Sequence, residues 1–396
     1  MSWIKTLAVG ATLLVVIGLG LLALLGPAAI ERSQNRVVEH PPWQVSPAAR
    51  ERHAALTIVD WHSDSLLWNR NLLERADYGH VDVPRLAEGN VAVQMFTAVT
   101  KSPEGQNYER NSADSDSITS LTVVQLWPPA TWSSLTERAL YQARRLHDFA
   151  AEAPERLHVV RSGRELNETL EQRARARQNG APPLVIGLLG IEGAHALEGR
   201  LENLQSLYAA GYRMVSLHHF FDNELGGSFH GASREGLSDF GRAVVRRLDE
   251  LRIIIDVAHS SPAVVDDVLE QTSRPVVVSH TGLHGHCATA RNLEDEQLQR
   301  IAARGGLIGI GYWAGAICDV SPAGVVSALR YAIDLVGEDR VALGSDFDGS
   351  TTTLFDTSEL AILTQTMLDA RFSDVEIEKV MGGNSVRFLR EQLPES

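Results

Sequence analysis

The chain contains 396 residues, of which 44% are hydrophobic and 22% charged, a globular composition with the length for one barrel or two smaller domains. Its formal net charge of −14 argues against a nucleic-acid partner, because no excess of basic side chains is available to neutralise phosphates. Cys287 and Cys318 are the only cysteines, which excludes a thiolate zinc site and a small disulfide-stabilised scaffold. Any bound metal must therefore be held by histidine and carboxylate side chains.

The N-terminus carries an uncharged, mostly apolar stretch from Thr6 to Ile30 behind a single lysine, Lys5. About 20 apolar residues suffice to cross a bilayer core, whereas the apolar part of a cleaved signal peptide has roughly 7–15. We therefore expect residues 1–30 to form a membrane anchor, with a cleaved signal as the alternative and the N-terminus in the cytoplasm. The rest of the chain would then lie on the exported face of the membrane, periplasmic or extracytoplasmic.

A linker and one catalytic domain are expected after the anchor. Residues 31–49 are polar and carry Pro41, Pro42 and Pro47, a composition suited to a tether. Across residues 50–396, apolar runs of β type alternate with helical patterns, which is typical of βα units. The runs are Leu56–Trp61, Val91–Val99, Leu184–Ile191, Met214–Leu217, Ile253–Ala258, Pro275–Ser279, Leu307–Gly311 and Val341–Ser345. Their number is that of a closed barrel, so we predict an α/β fold, a TIM-like (β/α)8 barrel with an N-terminal transmembrane helix.

Amphipathic helices are expected between and after the strands. Their predicted bounds are Leu135–Ala151, Leu197–Ala210, Gly241–Leu251, Pro262–Gln271, Glu294–Ala303, Ala323–Leu335, Ser358–Leu368 and Asp374–Leu389. The polar segment Lys101–Ser134 interrupts the alternation of strands and helices. It is either an excursion that covers the rim of the barrel or an ordinary surface loop, and the sequence leaves both open.

Several predicted strands end on side chains that bind metal ions. His62 and Asp64 are two residues apart after the first strand, so both side chains point the same way in extended chain and can reach one ion. Glu192 has two oxygens with which to bridge a pair of ions, and His259 and His280 follow two consecutive strands. Each residue alone also fits a turn or a packed core, but the joint set suits two divalent ions. We predict two Zn2+ per chain, with Mn2+ or Co2+ as substitutes.

Three further side chains are candidates for handling a substrate. Asp346 follows the last strand and could take a proton from a nucleophilic water and return it to the leaving group, while Asp348 would shape the loop. His218 could hydrogen-bond the oxyanion of a tetrahedral intermediate, whereas His219 is expected to pack within its loop. Arg291 could hold a substrate carboxylate in a bidentate fork, although an isolated arginine is more often a surface residue.

A set of motifs runs in order through the body of the chain. They are Ile58-Val59-Asp60-Trp61-His62-Ser63-Asp64, Val83-Pro84-Arg85-Leu86, Gly190-Ile191-Glu192-Gly193, Ile255-Asp256-Val257-Ala258-His259, Ser279-His280, Ala290-Arg291-Asn292, Gly344-Ser345-Asp346-Phe347-Asp348-Gly349 and Gly383-Asn384-Ser385. In this order they resemble the membrane dipeptidase (renal dipeptidase-like) family of dinuclear zinc peptidases, especially its bacterial members. The resemblance implies a (β/α) barrel that hydrolyses dipeptides.

The resemblance also implies roles for individual residues. His62 and Asp64 would bind one zinc, His259 and His280 the other, and Glu192 would bridge the two. It further implies that His218 polarises the substrate, that Arg291 anchors the C-terminal carboxylate of the dipeptide, and that Asp346 carries the proton. The family pattern places an aromatic hydroxyl near that carboxylate, and the corresponding position in this chain is either Tyr312 or Trp313. We take Tyr312 as the substrate-binding residue.

The predicted function is thus zinc-dependent hydrolysis of dipeptides at a membrane, with a homodimer left open. One alternative is a lactonase, phosphotriesterase-like enzyme or cyclic amidase, which commonly uses a His-x-His pair and a carbamylated bridging lysine. Lys5, Lys101 and Lys379 are the only lysines and none ends a strand in the right place, so this alternative is disfavoured. The other alternative is an inactive, membrane-tethered binding protein with the same barrel.

Overall fold

The computed structural model describes residues 25–396 and, before them, only residues 7, 18 and 20. The anchor expected at residues 1–30 therefore falls largely outside the described residues. Within the described part of the chain, no helix combines the length and the apolar character needed to cross a bilayer. Residues 25–34 are helical and precede the first strand.

A closed barrel of parallel strands forms the centre of the molecule. In chain order the strands are β1 (Arg36–Val37), β2 (Ile58–Ser63), β3 (Val91–Val99), β4 (Leu157–Val159), β5 (Val185–Glu192), β6 (Tyr212–Ser216), β7 (Ile254–Asp256), β8 (Val277–Thr281), β9 (Leu307–Ile310), β10 (Val341–Leu343) and β11 (Thr352–Thr353). The sheet runs in the order β3-β2-β10-β9-β8-β7-β6-β5, and pairing of β3 with β5 closes it into eight strands. β4 pairs with the first residues of β5 and is not one of the eight strands of the closed barrel. The barrel predicted from the sequence is confirmed.

The strands bury both of their faces, as strands of a covered parallel barrel must. All residues of β3 and β5 are buried. One apolar cluster packs the outward faces of the strands against the helices, and a second fills the interior with side chains such as Ile186, Leu188 and Met214. Because residues at even spacing share a face, the interior face of β5 that carries Ile186 and Leu188 also delivers Glu192 to the rim.

Helices surround the barrel at Pro47–Ala55, Val83–Glu88, Ser117–Val124, Leu135–Glu152, Gly163–Gln178, Glu202–Ala210, Asp239–Glu250, Pro262–Gln271, Asp295–Ala303, Ala314–Ile317, Pro322–Val336, Ala361–Asp369, Asp374–Glu378 and Asn384–Gln392. Serine N-caps fix several starts; Ser261 and Ser321, for example, each accept a backbone N–H and precede a proline at the first helical position. The helix expected from Leu197 begins only at Glu202, because Glu198 and Gly199 have left-handed φ angles of 52° and 67°.

The segment predicted as a linker contacts the barrel directly. β1 pairs in parallel with β11, and the side chains of Glu31 and Asn35 are buried. Ser46 accepts the backbone N–H of Ala49 and begins the helix Pro47–Ala55. These contacts attach the segment before residue 50 to the same rim that carries the strand ends.

The two cysteines form a disulfide. Cys287 and Cys318 are 31 residues apart in sequence, and their Cα atoms lie 5.7 Å apart. The bond joins the loop after β8 to the loop after β9. It therefore ties together two loops of the rim.

Candidate functional site

The predicted metal ligands meet at the C-terminal rim of the barrel. His62 lies at the end of β2 with Asp64 just beyond it, and Glu192 is the last residue of β5. His259 follows β7, and His280 lies in β8. None of these residues is more than 3% exposed, so their charges and lone pairs face one another rather than solvent.

Glu192 is the centre of this cluster. Its Oε1 atom lies 3.1 Å from His259 Nε2, 3.4 Å from His280 Nε2 and 3.6 Å from His62 Nε2. His62 Nε2 also lies 3.3 Å from Asp64 Oδ1. Three overlapping sets have donor atoms close enough to share one ion: His62, Glu192 and His280; Glu192, His219 and His259; and His62, Asp64 and Asp346.

The donor atoms fit divalent cations chemically. His62 Nε2 is buried without a hydrogen-bond partner among the described residues, and His259 Nε2 faces His280 Nε2 at 2.9 Å. Burial lowers the pKa of both His259 and His280 well below the ordinary value, which favours the neutral imidazole that a metal requires. Burial opposes ionisation of Glu192, but the imidazoles of His219 and His62 outweigh it and hold its pKa well below the usual range.

A buried serine orients two of the imidazoles. Ser279 Oγ donates its one proton to Asp256 Oδ2 at 2.6 Å, so toward the rings it can only accept. It lies 2.9 Å from His280 Nδ1 and 3.3 Å from His62 Nδ1. With a proton on Nδ1, each ring presents Nε2, the atom that faces Glu192, as the one that would bind a metal ion.

A second buried carboxylate holds two strand ends together. Asp60 Oδ1 accepts the backbone N–H groups of His62 and Ser345, both at 3.0 Å. The roles of Asp60, Asp256 and Ser279 emerge only from the folded structure. The sequence does mark the two aspartates, because Asp60 and Asp256 are ionisable residues inside otherwise apolar strands.

A cavity of about 700 Å3 opens above the cluster and includes Arg291 in its lining. Arg291 is 1% exposed, donates through Nη2 to the carbonyl oxygen of His280 at 2.9 Å, and lies 5.2 Å from the centre of the Trp313 ring. No carboxylate among the described residues is close enough to form an ion pair with it. A buried guanidinium without a counter-ion, facing a cavity, is suited to an anionic ligand.

The histidine that faces the cavity is His219, which corrects the sequence prediction of His218. His219 lines the cavity, and its Nε2 lies 3.5 Å from Glu192 Oε2. His218 is fully buried away from the cavity lining, with Nδ1 3.2 Å from Ser260 Oγ, and burial lowers its pKa to about 4. The two residues are adjacent in the chain after β6, and their side chains leave it in different directions.

Comparison with known proteins identifies the family. Residues 48–395 match the membrane dipeptidase family, peptidase family M19. The chain belongs to this family. It is a metallo-dipeptidase, a hydrolase acting on peptide bonds, and the predicted resemblance is confirmed.

Individual relatives agree with this placement. Dipeptidase aclJ of Aspergillus oryzae is 28% identical over 357 residues, which cover 84% of this chain and 77% of that protein. A metallopeptidase of Rhodobacter sphaeroides, liganded with a phosphinate mimic of L-Ala-D-Ala, matches with a TM-score of 0.67 and 24% identity over 85% of this chain and 99% of its own. The probable dipeptidase PvdM of Pseudomonas aeruginosa matches with a TM-score of 0.71 and 19% identity over 87% and 97%. The two structural likenesses support the barrel fold.

In this metallo-dipeptidase the aromatic hydroxyl at the cavity belongs to Tyr108, which corrects the prediction of Tyr312. Tyr312 is fully buried, with ring centres of Phe347 and Phe355 both 5.5 Å away, and it does not line the cavity. Trp313 does line it, and donates Nε1–H to the Tyr108 hydroxyl at 2.9 Å. Tyr108 comes from the polar segment 101–134, so that segment is an excursion over the rim. No spacing in the sequence marked this tyrosine.

The two aspartates after β10 have different surroundings. Asp346 lines the cavity, with its side chain 13% exposed and its Oδ1 3.9 Å from His62 Nε2. Burial, together with the carboxylates of Asp64 and Glu192, raises its pKa well above the ordinary value. Asp348 is fully buried and ion-paired to Arg70, so it stabilises the loop rather than facing the cavity.

Proposed function

We propose that the enzyme is a dinuclear zinc dipeptidase in which His62 and Asp64 hold one ion, His259 and His280 hold the other, and Glu192 contacts both. The observation that carries this proposal is the position of Glu192 Oε1, which lies within 3.6 Å of the Nε2 atoms of histidines from three strands or strand ends. Mixed imidazole and carboxylate ligands favour zinc, with Mn2+ or Co2+ as substitutes. When bound, two such metal ions would activate a water molecule and act as Lewis acids toward the scissile carbonyl.

The residues around the cavity would bind and orient the dipeptide. Arg291 takes the C-terminal carboxylate, since it is a buried guanidinium that lacks a counter-ion among the described residues. Because Arg291 donates to the carbonyl oxygen of the proposed ligand His280, a carboxylate bound to it would lie near the metal ligands, which favours substrates with one residue beyond the scissile bond. His219 donates a hydrogen bond to the carbonyl oxygen as negative charge develops there.

The proton would be carried by Asp346. It lies at the cavity beside His62 and Asp64, and its carboxylate has no hydrogen-bond donor from the protein among the described contacts. It accepts a proton from the attacking water and delivers that proton to the departing amine. Its backbone is left-handed, with a φ of 59°, and its side chain lines the cavity.

We also propose that the catalytic domain lies on the exported face of a membrane, as the N-terminal apolar run predicts. The Cys287–Cys318 disulfide supports this location, because such bonds persist mainly in oxidising compartments. Fractionation of cells that express the full chain, followed by protease treatment of intact cells or spheroplasts, tests it. Protection of the catalytic domain in spheroplasts, with digestion once they are lysed, would contradict an exported location.

Substrate length provides the test of the proposed activity. The zinc-loaded full chain is assayed on dipeptides, on the matching dipeptide amides and on tetrapeptides. Dipeptides should be cleaved, and amides should lose about 10²-fold or more in kcat/KM, because they leave the Arg291 guanidinium without its partner. Dipeptides with a C-terminal D-residue belong in the panel, given the ligand of the Rhodobacter sphaeroides relative. Equal cleavage of tetrapeptides and dipeptides would refute the proposal.

A further inference from the structure

The segment that precedes the family match reaches the cavity. The match begins at residue 48, yet Ile30 and Gln34 belong to the cavity lining. Both lie in the helical stretch at residues 25–34, in which Ile30 is the last residue of the apolar run and Gln34 follows the run. We call residues 25–38 the N-terminal arm. The wall of the cavity is thus completed by a part of the chain outside the dipeptidase family match.

Ile30 extends an apolar wall of the cavity. It packs against a buried cluster formed by Leu67, Trp68, Val99, Ile118, Leu121 and Trp127. These residues follow or end strands β2 and β3, or lie in the excursion after β3. In the barrel order, β8 is four strands from β3 through β2, β10 and β9, and four through β5, β6 and β7. Arg291 follows β8, so Val99 at the end of β3, with the part of the apolar wall beside it, lies across the barrel from the strand that leads to the proposed carboxylate anchor.

A buried ionic chain connects the arm to the loop that carries Asp346. Glu31 is 1% exposed and accepts a hydrogen bond from Arg70 Nε at 2.5 Å. The same guanidinium pairs with Asp348, which also accepts hydrogen bonds from Ser65 Oγ and the His80 backbone N–H, both at 2.6 Å. Glu31 therefore supports Asp348 through Arg70, and Asp348 is two residues from Asp346.

The arm also binds the backbone of this loop. Asn35 Oδ1 accepts the backbone N–H of Ser350 at 2.9 Å, and β1 pairs with β11 just beyond it. Within the loop, Asp346, Asp348 and Ser350 have φ angles of 59°, 63° and 60°. Residues other than glycine hold this left-handed conformation only where surrounding contacts enforce it. The arm supplies several of those contacts.

We propose that the N-terminal arm is a working part of the active site, an inference that rests on the proposed dipeptidase mechanism. Glu31 and Asn35 are positioning residues for Asp346. Ile30 determines specificity for the side chain of the N-terminal residue of the dipeptide, because it lies on the wall across the barrel from Arg291. The end of the apolar run and the residues that follow it therefore shape the catalytic site in addition to leading into the barrel.

Glu31→Gln in the full-length, zinc-loaded enzyme tests the positioning role. The matched control is Glu39→Gln, an exposed glutamate a few residues along the same segment. Glu31→Gln should lower kcat by about tenfold with KM and zinc content unchanged, because Asp346 is displaced while the ligands are not. A purely structural role would lower thermal stability but leave kcat per zinc-loaded site equal to that of the control, and that result would overturn the proposal. Asn35→Ala provides a second variant with the same expected kcat effect, should Glu31→Gln fail to fold.

Ile30→Ala tests the specificity role, with Val375→Ala, at a residue 53% exposed on the helix Asp374–Glu378, as the control. The readout is the ratio of kcat/KM for Leu-Gly to Ala-Gly, and for Gly-Leu to Gly-Ala. Ile30→Ala should lower the first ratio by about three- to tenfold and leave the second unchanged, because only the N-terminal side chain contacts this wall. An unchanged first ratio, or a change confined to the second ratio, would overturn the specificity role of Ile30. Absence of dipeptide hydrolysis in the wild-type enzyme would instead refute the proposed function.

Discussion

Replacing His219 with glutamine should lower kcat by about 10²–10³-fold, whereas the same change at His218 should leave kcat nearly intact. His219 Nε2 is 3.5 Å from Glu192 Oε2 at the cavity, and its side chain is only 7% exposed. Loss of one donor to a developing oxyanion in such a water-poor site costs about 3–4 kcal/mol of transition-state stabilisation. The effect should appear mainly in kcat, because the hydrogen bond strengthens as charge develops on the carbonyl oxygen.

His218 is the matched comparison, since it is the neighbouring residue and the same type. It is fully buried, and its Nδ1 lies 3.2 Å from Ser260 Oγ. Disrupting that contact should cost about 1–3 kcal/mol of folding stability without changing kcat per folded, zinc-loaded molecule. The assay combines steady-state kinetics on one dipeptide, zinc analysis and thermal unfolding of both variants. A large loss of kcat in the His218 variant with a normal rate in the His219 variant would refute the reasoning.

Three other changes probe separate parts of the site. Asp346→Asn should keep both zinc ions while lowering kcat by about 10²–10⁴-fold, because an amide cannot carry the proton; full activity in this variant would exclude Asp346 as the carrier. Ser279→Ala should weaken zinc binding about 10–100-fold in competition with a chelator, because its hydroxyl orients two ligand imidazoles; unchanged affinity would contradict that role. Cys287→Ser should lower the free energy of unfolding by about 3–4 kcal/mol for a loop that spans 31 residues, and reductant should abolish the difference from wild type. Equal stability of the variant and the oxidised wild type would show that the bond does not stabilise the fold.

The barrel and the clustering of histidine and carboxylate side chains at its rim could be predicted because both depend on local sequence. Each strand is a short apolar run, and parallel strands in a closed barrel bring their carboxyl ends to one rim. His62, Glu192, His259 and His280 lie at or just beyond such ends, so their meeting follows from strand order alone. The helix Gly163–Gln178 is absent from the sequence prediction because its local sequence lacks an apolar pattern. Its buried face contains a single large apolar residue, Leu166.

The residues that handle the substrate could be predicted less well, because their positions depend on loop geometry. His218 and His219 are adjacent, and no pattern tells which one turns toward the cavity after β6. Tyr108 reaches Trp313 from 205 residues away in sequence, and only tertiary structure reveals that contact. Glu31 was assigned to a polar linker, where a single acidic residue gives no sign of burial against Arg70.

The central claim, two metal ions that share Glu192, is tested most directly by the metal content of Glu192→Gln beside the wild type. The control is Glu202→Gln, an exposed glutamate on the helix after the same strand. Inductively coupled plasma mass spectrometry of the dialysed proteins should find two zinc ions per chain in the wild type and the control, and fewer than one in Glu192→Gln. Two tightly held ions in Glu192→Gln, or a wild-type enzyme fully active with a single ion, would contradict the account.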